Sequence, residues 1–292
     1  MMSGGKAMLI AQISDLHIGF DRDDPDEPNL RRLKRVLRQI AALDPLPDML
    51  IASGDLTEHG DEPSYRRLAE ALAESPVPVH CLMGNHDARE TFRAVFTEAP
   101  GTDFLHYVVD DPRLRCIMLD TLEPGRHGGG FCADRAAWLV ERLAEAPDQP
   151  TLVFLHHPPE AIGIPWMDPA PAEPWITRLT EALATAPQVV ALAAGHVHRP
   201  TALGWEGMPL TICPSTAPEV GLVLAPIDPE RPDDRALIED GEPGFALHCW
   251  TGSRLVTHFG TCPEMTLARF DDRLQPLIRM LMAERTAGEG AR

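Results

Sequence analysis

Residues 8–17 read Met-Leu-Ile-Ala-Gln-Ile-Ser-Asp-Leu-His. The run to Ile13 has the length and apolar character of a short buried β-strand, and it stops abruptly on a carboxylate and an imidazole, Asp15-x-His17. The same arrangement recurs four times downstream. Asp48–Ser53 reads as a strand and is followed by Gly54-Asp55. Val77–Met83 is followed by Gly84-Asn85-His86-Asp87. Thr151–Leu155 leads into His156-His157-Pro158-Pro159, and Val189–Ala194 into Gly195-His196-Val197-His198.

Between these strands lie helical patterns. Leu30, Leu33, Val36, Leu37 and Ile40 recur at helical spacing among basic residues. Asp61 or Ser64 offers N-cap chemistry for a helix through Leu72, a short helix is expected over Thr91–Phe96, and Asp134 is expected to cap a helix carrying Trp138, Leu139 and Leu143. Tyr107–Asp110 and Arg115–Asp120 read as strands, and a helix falls near Trp175–Ala186. Alternating strands and helices imply an α/β layered core. In such sheets ligands gather at the carboxyl ends of the strands, where the five polar clusters sit. Past Ala217 the chain changes character: Pro, Gly and charge punctuate it to Gly244, a hairpin is expected over Phe245–Trp250 and Arg254–Phe259, and a last helix over Thr266–Met282. A single domain is expected, with a motif-bearing core over 8–213 and an extension over 214–292 available for a homodimer or higher homo-oligomer contact.

The net charge of −18 and the absence of long Lys or Arg runs argue against a protein built to grip a nucleic-acid backbone. A small phosphate substrate remains compatible, because bound metal ions supply local positive charge. No apolar stretch approaches the length of a membrane span, and the segment before Ser14 lacks the form of an export signal. The six cysteines are scattered and read as reduced thiols, so a cytoplasmic location is expected.

Asp15, His17, Asp55, Asn85, His156, His196 and His198 together offer two carboxylates, one amide oxygen and four imidazoles. That donor set suits borderline-hard divalent ions such as Zn, Mn, Fe, Co or Ni better than a thiolate site does. Seven residues give eight bonds if one carboxylate bridges two ions. If Asp-x-His and His-x-His are extended, their alternation puts both side chains of each pair on one side. By the same rule the side chain of His157 should point away and pack.

These five motifs, in order over residues 8–200, resemble the calcineurin-like metallophosphoesterase superfamily. Their forms and the chain length look like the bacterial class III cyclic nucleotide phosphodiesterases and the glycerophosphodiesterases. The resemblance implies a four-layer α/β/β/α sandwich with the C-terminal hairpin and helix as an extension. It implies that Asp15, His17, Asp55 and His198 hold one metal and that Asp55, Asn85, His156 and His196 hold the other, with two divalent or mixed-valence ions drawn from Fe, Mn, Zn and Co. His86 is then no ligand but faces the substrate as a catalytic group, with Asn85 beside it and Asp87 orienting its imidazole. Two metals generate a hydroxide near neutral pH for in-line attack on phosphorus.

A small phosphodiester is the expected substrate, such as a 3',5'-cyclic nucleotide or a glycerophosphodiester, because no basic cluster accompanies the motifs to neutralise a dianionic monoester. A phosphomonoesterase or nuclease of the same fold and a non-catalytic metal-binding scaffold are the alternatives. Arg126 and His127, in the Gly125–Gly130 loop, are candidate substrate contacts. Asp120, Trp166 and Met167 are candidate pocket-wall residues. No stable nucleic-acid partner and no membrane association are expected. His59, His80, His106, His248 and His258 lie outside any motif and read as structural or surface residues.

Overall fold

The computed structural model describes residues 7–170, 172–263, 268 and 270–287. Its described residues divide into one compact unit through Cys262 and a second from Pro263. Residues 214–262 belong to the first unit.

Two large sheets form the centre of that unit. β1 (Met8–Ile13), β2 (Met49–Ser53) and β3 (Val79–Leu82) run parallel, and the hairpin of β12 (Gly244–Trp250) and β13 (Leu255–Thr261) adds antiparallel to the free side of β1. The second sheet joins β4 (Tyr107–Val109), β5 (Arg115–Leu119), β6 (Thr151–Leu155), β7 (Val189–Ala194), β8 (Thr201–Trp205) and β9 (Met208–Ile212) in the order β4-β5-β6-β7-β9-β8. The strands β5, β6, β7 and β9 are mutually parallel.

Three apolar layers separate four structural ones. Met8, Ile10, Met49 and Ile51 meet Met118, Leu152, Phe154 and Ala193 between the sheets. On the outer face of the first sheet lie α1 (Pro28–Ala41), α2 (Glu62–Leu72) and α3 (Arg89–Val95); α1 buries Leu30, Leu33, Val36, Leu37 and Ile40, the stripe read from the sequence. On the outer face of the second lie α4 (Ala133–Ala144) and α5 (Pro174–Leu183). The α/β/β/α sandwich is thus the observed architecture. Parallel strands covered on both faces need continuous apolar runs, which is why β2, β5 and β6 are buried at every position.

Local details differ from expectation. Asp61 caps α2, its carboxylate accepting from the Ser64 N–H at 2.9 Å, but Cys132 rather than Asp134 occupies the N-cap of α4. The β8–β9 hairpin was not anticipated. In the second unit the last helix is α6 (Gln275–Ala287), later than expected, and part of the expected span, including Leu267, lies outside the described residues.

The two sheets are joined through Gln12 of β1. Its Nε2 donates to Ser53 Oγ at 2.8 Å and to the Ala194 carbonyl at 3.0 Å, while its Oε1 accepts from His248 Nε2 at 2.9 Å. Past the strand ends an isolated parallel bridge links Ser14 to Ser215, which follows β9. This junction brings the carboxyl ends of β1, β2 and β3 to those of β6 and β7.

Candidate metal centre

Six of the candidate ligands, Asp15, His17, Asp55, His156, His196 and His198, converge at that junction, and Asn85 stands between Gly84 and His86, whose backbones pack on Asp55. Asp15 N–H donates to the Gly54 carbonyl at 3.0 Å, and Leu16 and His17 N–H both donate to the Asp55 carbonyl, at 2.8 and 3.0 Å, so the first two loops are laced together. The Asp15 carboxylate then accepts from His196 N–H at 3.1 Å, tying the first loop to the last.

The side chains do not converge by strand alternation. Asp15, His17, Asp55, His196 and His198 all have left-handed backbones, with φ of 55°, 47°, 47°, 72° and 58°. Residues with a Cβ adopt that region seldom and at a cost of order 1–3 kcal/mol each. The turns aim the side chains inward immediately after each strand. Gly84 serves the same packing, because a Cβ there would collide with the carboxylate and amide of Asp55.

Two donor sets emerge. The ligand atoms of Asp15, His17, Asp55 and His198 lie within 4.8 Å of one another. His17 Nε2 and His198 Nε2 are 3.1 Å apart, and His198 Nε2 is 3.5 Å from Asp15 Oδ1. Beside them, Asn85 Oδ1, His156 Nε2 and His196 Nδ1 are buried atoms without a hydrogen-bond partner. Asp55 Oδ2 stands 3.7 Å from His17 Nε2 and 3.3 Å from His156 Nε2, between the sets. Buried polar atoms are seldom left unpaired. His157 Nε2 is orphaned as well, and the ligand atoms of His156, His157 and His196 lie within 4.8 Å of one another; with Asp55 between His156 and the first set, these residues fit two cations. In the metal-free protein, burial works against charge on His156, yet Asp55 and Asp15 lift its pKa to about 9. Burial, with His157 and His156 as neighbours, holds His196 well below the usual histidine range.

The imidazoles are oriented from behind. His156 Nδ1 donates to the Ser53 carbonyl and His198 Nδ1 to the Pro218 carbonyl, each at 2.8 Å. His17 Nδ1 meets the Glu58 carboxylate at 2.6 Å. Glu58, which the sequence reading did not single out, also offers its carbonyl to His86 Nδ1 at 2.9 Å. Glu58 lies three residues beyond Asp55 in an irregular loop, where only its acidity marked it.

His86 lines the cleft above the donor sets, and its N–H donates to Asp55 Oδ1 at 2.8 Å. The expected pairing of Asp87 with His86 does not form. The Asp87 carboxylate is occupied instead by N–H groups of Leu56, Thr57 and Gly84 at 3.1, 3.2 and 2.9 Å and by the Tyr65 hydroxyl at 2.9 Å. Asp87 therefore builds the ligand loops. His157 does not point away from the site: its ring lies 4.7 Å from that of His196, with Nδ1 against Thr121 Oγ1 at 2.8 Å and Nε2 unpartnered.

His127 reaches the cleft, its ring 4.7 Å from that of His196. Arg126 turns to Glu173 at 3.0 Å and does not line this cleft. Asp120 is no pocket wall; it is fully buried, accepts from Arg89 through both oxygens at 2.7 Å and takes the N–H of Leu105. Trp166 and Met167 do line the cleft, whose volume is about 650 Å³. A cavity of about 820 Å³ beside Val79, Phe96 and Tyr107 contains none of the donor atoms.

Comparison with known proteins agrees with this geometry. The family model described as calcineurin-like phosphoesterase matches residues 8–200. A relative from Arcobacter nitrofigilis, named probable glycerophosphodiester phosphodiesterase GpdQ, is 33% identical over 261 residues, covering 86% of this chain and 92% of its own. The 3',5'-cyclic adenosine monophosphate phosphodiesterase CpdA of Escherichia coli is 29% identical over 217 residues, covering 74% and 78%. Among solved structures, a dimetal phosphatase from Danio rerio superposes with a TM-score of 0.65 at 16% identity, covering 88% of this chain and 97% of that one, a likeness of fold.

Proposed function

The chain belongs to the calcineurin-like phosphoesterase family, and we propose that it hydrolyses a phosphodiester bond in a small substrate with the help of two divalent transition-metal ions. The observation that carries this reading is the pair of donor sets sharing Asp55. Asp15, His17, Asp55 and His198 would hold one ion, and Asp55, Asn85, His156 and His196 the other. Oxygen and imidazole donors without thiolate suit Fe, Mn, Zn or Co. Such ions, when bound, make a water nucleophilic near neutral pH and offset charge that grows on the phosphoryl oxygens.

The chain's own groups do the rest. His86, anchored through Nδ1 to the Glu58 carbonyl, would present its other ring nitrogen to the substrate and, when the ring is doubly protonated, supply that nitrogen's proton to the departing oxygen. His127, across the cleft, would contact the phosphoryl group or its ester. Arg126 serves this less well, being engaged by Glu173.

A diester is favoured over a monoester by charge. Among the described residues lining the cleft none is Lys or Arg. The nearby guanidinium groups are engaged: Arg199 by Glu219 and the Val220 carbonyl, Arg32 by Asp240 and the Thr216 carbonyl. A second negative charge on the substrate would thus find no side-chain cation. The relatives' names, cyclic nucleotide and glycerophosphodiester phosphodiesterases, point the same way.

Turnover of bis(p-nitrophenyl) phosphate and of p-nitrophenyl phosphate by the metal-loaded protein tests the reading. The diester is expected to be hydrolysed with the higher kcat/KM. Preference for the monoester would make it a phosphomonoesterase, and no turnover with any of the four metals would leave a binding scaffold.

Two further parts of the reading concern the whole chain. The six cysteines are free, as suits a reducing cytoplasm, and no described helix is long and apolar enough to cross a membrane. In the second unit, α6 exposes Leu277, Met280 and Met282, a surface suited to homo-oligomer contact. Sedimentation over a range of concentrations checks this; a monomer throughout would remove it.

A further inference from the structure

The walls of the cleft are as distinctive as its floor. Phe20, Trp166, Met167, Pro218, Val220 and Ile238 line it together with the candidate ligands. Phe20 is 67% exposed and Ile238 55% exposed, so neither is there to fill a core. Large apolar side chains held in water beside a polar centre are a common form of binding surface.

Each of the three segments carrying these residues is fastened. The buried Glu27 carboxylate accepts the N–H groups of Gly19 and of Asp21, the latter at 3.0 Å, bracketing Phe20 from both sides. The Asp168 carboxylate accepts the N–H of Ile162 at 2.7 Å and of Gly163 at 3.1 Å, closing the loop that presents Trp166. Ile238 pairs with Val220 across the ladder of β10 (Glu219–Val220) and β11 (Ile238–Glu239). These loops hold the apolar groups at the mouth, which avoids an ordering cost when a ligand arrives.

Besides the candidate ligands, the polar side chains lining the cleft are Asn29, Glu58, His86, His127 and Asp240, and of these Asn29 is engaged by the His17 carbonyl, His86 by the Glu58 carbonyl and Asp240 by Arg32. A polyol ester would have to give up water there for few hydrogen-bonding partners. A flat apolar or aromatic group would instead cover Phe20 and Trp166 and remove their surface from water.

Building on the phosphodiesterase reading, we propose that the ester group retained in the cleft is a flat aryl group rather than a glycerol, and that Phe20 and Trp166 select it. The selection acts on the non-leaving part of the substrate and leaves the chemistry at phosphorus to the donor sets.

Three diesters with one leaving group test this: phenyl, methyl and glyceryl p-nitrophenyl phosphate, assayed with metal-loaded protein. The expected kcat/KM for the phenyl ester exceeds that for the glyceryl ester by roughly tenfold or more, mainly through KM. In Phe20→Ala and Trp166→Ala the phenyl-to-methyl ratio should fall several-fold, the methyl ester in each variant serving as its own reference. Circular dichroism and bound-metal content confirm that each variant is folded and loaded. If all three esters turn over with equal or reversed preference, this inference is overturned while the diesterase reading stands. If none turns over, the diesterase reading fails and takes this inference with it. If Phe20→Ala abolishes a self-association of the wild type and leaves the ratio unchanged, the rim is a contact for a second copy of the chain and the inference is likewise overturned.

Discussion

His17 and His198 face each other through Nε2 at 3.1 Å, although each ring has its Nδ1 engaged by an oxygen, the Glu58 carboxylate and the Pro218 carbonyl respectively. A neutral imidazole that donates through Nδ1 carries a bare lone pair on Nε2. Two such lone pairs at contact distance repel unless a proton or a cation lies near both. Chelator treatment should therefore lower the melting temperature, and adding Mn, Zn, Co or Fe(II) should restore it. At a hundredfold excess over Kd each filled site adds about 2.7 kcal/mol. That amounts to several degrees in differential scanning calorimetry. A melting temperature indifferent to chelator and to metal would contradict the two-site assignment.

Glu58 fixes the ring of His17 from behind at 2.6 Å. Carboxylates in that position typically strengthen metal affinity by about 10- to 100-fold. Glu58→Gln keeps the volume and loses the charge, so metal affinity measured by competition with a chelator should fall within that range. Unchanged affinity would show that the strained backbone alone positions His17.

Asp87 accepts three backbone N–H groups and a tyrosine hydroxyl. In Asp87→Asn one acceptor oxygen becomes an NH₂ facing donors. Urea denaturation should show a loss of about 1–3 kcal/mol. A shifted pH profile of kcat at wild-type stability would return Asp87 to the service of His86.

His86→Ala should lower kcat by about 10²-fold or more, the scale of a general acid, on a diester whose departing oxygen is an alkoxide, and far less on bis(p-nitrophenyl) phosphate, whose leaving group needs no proton, with metal content intact. Loss of metal, read by atomic absorption, would make His86 part of the metal-binding framework.

His248 predicts a pH dependence of stability. It is fully buried, with Nε2 donating to Gln12 and Nδ1 accepting from the Thr257 hydroxyl at 2.8 Å, and burial pushes its pKa down to about 4. The unfolded chain therefore binds the proton first. The contribution is full above pH 6.5 and declines progressively toward pH 4. Between pH 7.5 and 5.0 the wild type should lose about 2 kcal/mol more than His248→Gln. Equal losses would mean that the buried histidine is not what senses acid.

The sequence marked the candidate metal centre because its chemistry sits in short motifs directly after apolar strands; strand–helix alternation implied an α/β layered core, and the four-layer order came from the resemblance those motifs carry. What it could not convey was how Asp15-x-His17 and His196-x-His198 converge. An extended segment predicts alternation, whereas the observed left-handed turns depend on hydrogen bonds from other loops, such as His17 N–H to the Asp55 carbonyl. Glu58 stayed hidden because a carboxylate in an irregular loop has no period to betray its direction, and Asp87 was misread because adjacency to His86 suggested a pairing that distant N–H groups pre-empt. The β8–β9 hairpin carries a local signal of its own: Glu206-Gly207 is a two-residue turn with φ of 48° and 81°, the geometry that hairpins favour.

The left-handed backbones of Asp15, His17, Asp55, His196 and His198 bear on how the chain tolerates change. Glycine at any of them would relax the turn and delete a candidate metal-binding side chain in the same step. A selection for thermal tolerance under chelator, blind to turnover, would thus be drawn to these residues, whereas with metal present the stabilisation lost with the ion opposes the change. Backbone strain and metal binding are set against each other at five positions, and only selection that also demands turnover keeps them as they are.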